Sequence, residues 1–148
     1  MSDRAKLSRV IDELRREDAA VPSPADMVSL ARLDRQLSDL GYPPLSPGYK
    51  SFLELADGLI FDGTTLHGSR LHQISVESTE VTIPALADML KERLQAGRKP
   101  GALLPVGLSD TDLVQIDPNS NAVIACEPYS GEEFERWDDM ATYLSSLL

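Results

Sequence analysis

A chain of 148 residues, 42% hydrophobic and 26% charged, has the composition of one globular core, which excludes a disordered chain, a collagen-like repeat and a coiled-coil rod. Its formal charge of -10 sets the field of the whole protein against a phosphate backbone, so nucleic acid is not expected as a direct ligand. The acid excess is also uneven: residues 1–100 hold 15 acids and 13 bases, whereas residues 101–148 hold 9 acids and a single base, Arg136.

The first ten residues are charged where a signal peptide is apolar, and no apolar run approaches the roughly 18 residues of a membrane span. A cytoplasmic protein with no membrane contact is expected. Leu7, Val10, Ile11 and Leu14 predict an amphipathic helix over 3–18. Ser23 as cap, Pro24 in the first turn and Gly41 as terminator predict a second helix over 24–40, carrying Leu30, Leu33, Leu37 and Leu40. Ser46-Pro47 repeats the start signal for a short third helix with Tyr49, Phe52, Leu53 and Ala56 on one face, closed by Gly58.

From Leu59 the pattern changes to short apolar runs broken by Asp62-Gly63 and His67-Gly68, which predicts a hairpin. Pro84 to Gly97 returns to helical spacing. Three strands then follow, at Leu103–Val106, Asp112–Ile116 and Ala122–Cys126, with turn formers Asp117 to Asn121 between the last two. Asp138 is positioned to cap a terminal helix with Met140, Tyr143, Leu144, Leu147 and Leu148 on its apolar face. Helices, strands, a helix, strands and a helix in that order predict an α+β fold with a mostly antiparallel sheet flanked by helices.

The chemistry-bearing motifs are few. There is no nucleophile elbow, P-loop, dinucleotide fingerprint or zinc-protease pair of histidines. His67 and His72 are separated by a turn-like glycine, and Cys126, the only cysteine, reads as a small buried side chain. Asp117, Asn119 and Asn121 imitate the start of a calcium loop but lack its glycine and final glutamate, and Asp110 with Asp112 reads as a solvated strand entry. No cofactor, metal or catalytic residue is expected. The acidic stretch offers more: Glu127, Glu132, Glu133, Glu135, Asp138 and Asp139 surround Tyr129 and Trp137, aromatic types that anchor protein interfaces. A one-sign patch accelerates encounter with an oppositely charged partner by about one to three orders of magnitude at low salt. These eight residues are the candidate binding surface for a basic protein; solvated surface and helix capping explain the same acids without a partner.

Three pieces together resemble the SUKH superfamily, the Smi/Knr-like proteins that include bacterial toxin-immunity proteins and fungal cell-wall regulators. The first is the run from Pro44 and Leu45 through Tyr49, Phe52 and Leu53 to Asp57-Gly58, where the family usually has Asn in place of Asp57. The second is the glycine-rich segment Gly58 to Gly68, and the third runs from Leu104-Pro-Val-Gly107 to the terminal Leu147-Leu148. The resemblance covers residues 24–148 of a single domain and leaves 1–22 as an N-terminal helical extension. It implies the α+β fold already predicted, no catalytic residues, and the binding of a partner protein. In bacterial members that partner is a toxin, often a nuclease or deaminase, which an immunity protein neutralises. The alternative is a regulatory or scaffold domain that binds an endogenous protein; a third reading, a small hydrolase or metal enzyme, needs Asp110, Asp112 and His67 to converge. Homodimerisation stays open.

Overall fold

The computed structural model describes residues 2–148. Helix α1 (Asp3–Arg16) begins at Ser2, whose hydroxyl accepts from the Ala5 amide, and buries Leu7, Val10, Ile11 and Leu14, the predicted stripe. That stripe packs on the terminal helix α5 (Met140–Leu147). Helix α2 (Met27–Leu40) starts three residues later than the sequence suggests, because Asp26 and not Ser23 is its cap, accepting from the Ser29 amide at 2.7 Å. Residues 20–25 instead form a strap. Ala20 exchanges two backbone hydrogen bonds with Ile60, the Ser23 carbonyl accepts from the Asp57 amide, and the Ala25 amide donates to the Leu53 carbonyl. A residue before proline is driven away from helical backbone, which suits Ser23 to the strap.

Helix α3 (Pro47–Leu53) is capped by Ser46 as predicted, but it stops at Leu53 and Gly58 is not its terminator. Gly58 has φ +121° and lies against the Leu66 carbonyl and the Ile83 side chain, so it is kept for close approach of three segments. Strands β1 (Leu59–Phe61) and β2 (Thr64–Leu66) form the expected hairpin, with Asp62 and Gly63 both at positive φ. A second hairpin, β3 (His72–Val76) and β4 (Thr79–Ile83), was not evident in the sequence; it is a separate two-stranded ladder whose turn residues Glu77 and Ser78 also have positive φ.

Helix α4 (Leu86–Gln95) packs on α2. It leads to β5 (Leu104–Leu108), β6 (Leu113–Ile116) and β7 (Val123–Cys126), as predicted within two residues, and then to β8 (Glu133–Trp137), which the sequence did not reveal. The six-stranded sheet has the order β1-β2-β5-β6-β7-β8 and is antiparallel throughout, so the fold is α+β. Apolar residues from all five helices and from β1, β2, β5, β6 and β7 join one buried cluster. No helix among the described residues is long and apolar enough to cross a membrane.

Candidate functional site

Strand β8 is the outer strand of the sheet, paired on one side with β7 alone. Its residues Glu133, Phe134, Glu135 and Arg136 are exposed. The β7–β8 register shifts between Ala125 and Cys126, which places Glu133 opposite Cys126 and Glu135 opposite Ala125. That shift has a visible effect. Residues three apart on a regular strand point to opposite faces, yet the Arg136 guanidinium reaches the Glu133 carboxylate at 2.9 Å.

The turn into β8 is built by Glu127. Its carboxylate accepts from the amides of Tyr129, at 2.8 Å, and Ser130, and these N–H groups, Ser130 first, hold its pKa below the usual carboxylate range. Tyr129 is 78% exposed but not loose: the Arg98 guanidinium stacks 4.9 Å from its ring centre and donates to its carbonyl at 2.8 Å. Asp139, not Asp138, caps α5, accepting from the Thr142 amide at 2.8 Å. Trp137 is half-buried, with its ring edge-on to Tyr143 at 4.9 Å, so it belongs to the core boundary rather than to the open face.

Of the eight residues singled out in the sequence, Glu132, Glu133, Glu135, Asp138 and Tyr129 are therefore at the surface with Arg136, while Glu127, Asp139 and Trp137 are engaged in holding the fold. The sequence reading missed Phe134. It is 55% exposed on the same strand, and its place between Glu133 and Glu135 was the available signal.

Of the other chemistry-bearing residues, His67 and Cys126 are buried and Asp110 is exposed. His67 is buried; its Nδ1 donates to the Pro84 carbonyl at 3.0 Å, its Nε2 has no partner, and burial pushes its basicity down. Asp112 accepts from the Thr111 hydroxyl, and Asp110 lies over the Gly63 turn, so each of the three residues of the enzyme reading has its own local setting. Asp117 accepts from the Asn119 amide and Asn121 from the Gly48 amide, each at 2.9 Å, which explains this turn without an ion. Cys126 is buried, in contact with the Gln115 amide group, and burial pushes the pKa of its thiol up. Among the described residues no group of three or more His, Cys, Asp or Glu could hold a metal ion.

One buried polar cluster had no sequence motif to announce it. Asp57 has no exposed surface, and its carboxylate accepts from the Ser69 amide at 2.7 Å, the Ser69 hydroxyl at 2.8 Å and His72 Nε2 at 2.7 Å. The order matters chemically. In a nucleophilic relay the imidazole stands between hydroxyl and carboxylate, whereas here the carboxylate stands between the other two, so the Ser69 oxygen faces Asp57 and not the imidazole. The arrangement is a clip that fastens the start of β3 to the loop after α3. Gly68 is part of it, because a Cβ there would overlap the Asp57 carbonyl oxygen.

No protein-family model matches the chain, and no curated protein matches it.

Proposed function

We propose that the chain is a cytoplasmic, non-catalytic protein-binding domain of the immunity type, which occludes a basic toxin domain with β8 and the turn before it. The observation that carries this reading is the joint exposure of Glu132, Glu133, Glu135 and Asp138 with Tyr129 and Phe134 at one side of the sheet. The acids supply long-range attraction, and the two rings supply area that is desolvated on contact. A nuclease or deaminase presents cationic surface to its own polyanionic substrate, and an acidic edge suits that surface. The resemblance to SUKH proteins supports the class of partner; the fold and the exposed edge support the mode of action.

The test is association with a toxin domain encoded beside this chain, measured by stopped flow at low and high salt. The wild type is expected to associate more slowly as salt rises, and the triple variant E132K/E133K/E135K to associate at least tenfold more slowly at low salt. An unchanged rate removes this patch from the site. Recovery of endogenous regulators alone, with no toxin bound or inhibited, replaces the immunity reading with that of a scaffold domain.

A further inference from the structure

The two edges of the main sheet are treated differently. At β1, Ile60 is the middle residue of a three-residue strand, and both its backbone N–H and its C=O are taken by Ala20. That edge is closed by the strap. At β8, five residues long, no described segment pairs on the outer side. Unpaired strand edges carry alternating amide donors and carbonyl acceptors that a further strand can engage.

From this difference we infer that the partner is recognised by strand addition: an extended, lysine- or arginine-rich segment pairs with the outer side of β8 and extends the sheet to seven strands. The inference rests on the proposed role of this side of the sheet in binding a protein, and adds the backbone as the element that is read. Charge selects the occupant. Glu133 and Glu135 lie on the strand with Glu132 and Asp138 beside it, against one arginine, Arg136, whose charge is partly answered by Glu133. Cationic side chains directly across from Glu133 and Glu135 are stabilising cross-strand neighbours. A second copy of this chain would bring the same excess of acids. Charges and a bulge are also how proteins guard a lone edge against unwanted pairing. Phe134, more than half exposed on that edge, is the opposite of a guard and gives an incoming strand an apolar contact.

A seven-residue probe peptide of alternating Lys with Val or Thr separates backbone recognition from charge alone. Its partner probe has the same sequence and charge but is N-methylated at alternate residues, which removes the donors along one side. Strand addition predicts that the unmodified peptide shifts the NMR amide signals of residues 133–137 and slows their hydrogen exchange. The N-methylated peptide should bind at least tenfold more weakly. Equal affinity of the two probes overturns strand addition while leaving the acidic surface standing, which the E132K/E133K/E135K association rates test separately. Signals that move only outside β8, no binding of either probe, or self-association of the protein through β8 in sedimentation each overturn the inference as well.

Discussion

Removing the Asp57 carboxylate tests whether the buried clip holds the domain together. Asp57→Ala leaves the Ser69 amide, the Ser69 hydroxyl and His72 Nε2 without their common acceptor in a site closed to water. Hydrogen bonds to a charged group contribute about 1.5–3 kcal/mol each, and a buried donor left without a partner costs about 1–3 kcal/mol. We expect a loss of about 4 kcal/mol, a large part of the roughly 7–20 kcal/mol available to a domain of this length. In melting temperature that is about 10 °C. Asp57→Asn keeps an oxygen for the Ser69 amide, and its NH2 can donate to the Ser69 oxygen, so its loss should be about 1–2 kcal/mol. Urea unfolding followed by the single Trp137, which rests on Tyr143, gives both numbers. His72 opens β3, so amide exchange across β3 and β4 should rise in Asp57→Ala more than exchange in β6 and β7. A loss below about 1 kcal/mol, or equal losses for the two substitutions, would refute the assignment of the clip as a structural anchor.

Acid sensitivity should trace to His67. Burial holds its imidazole neutral in the fold, below the usual 6.5, while the unfolded chain takes up the proton. Stability is then full above about pH 6.5 and falls as the pH drops through that value toward the lower folded-state value. His67→Gln, which can still donate to the Pro84 carbonyl, should flatten the slope of unfolding free energy between about pH 7.5 and 5.5; an unaltered slope removes His67 as its source. Asp26, Asp117 and Glu127, whose amide partners lower their pKa, act in a more acidic window, below about pH 4.5. Gly68→Ala should prevent folding or lower the melting temperature by at least as much as Asp57→Ala, because the new methyl group meets backbone and not a movable side chain. Circular dichroism melts decide it, and a variant as stable as wild type would show that the loop can shift at little cost.

Elements whose apolar residues meet the core were legible in the sequence. The stripe Leu7, Val10, Ile11 and Leu14, the cap Ser46 before Pro47, and the Asp62-Gly63 turn each carry a local signal that the fold uses directly. Strand β8 carried no such signal, because four of its five residues face solvent and its alternation is of acids with Phe134 and Arg136. The β3–β4 hairpin was hidden for a related reason: its turn uses Glu77 and Ser78 at positive φ where Gly or Asn would have marked it. The cap of α2 was misplaced because Ser23-Pro24 looks like a helix start in isolation, whereas the strap's hydrogen bonds to Asp57 and Leu53 are long-range. At the candidate surface the sequence identified the acids but could not sort them. Whether a carboxylate folds back onto its own turn, as Glu127 does, or stands free, as Glu132 does, depends on backbone geometry rather than residue type.

The bridge between Ala20 and Ile60 also fixes how many partners the sheet can take. A sheet open at both edges can be lengthened at either one, and repeated head-to-tail additions of that kind produce filaments. With the β1 side sealed by its own chain, an added strand at β8 finds no second docking edge on the main sheet to pass the growth along. Under the strand addition proposed above the stoichiometry is one to one, with the molecule as a terminus for the added strand.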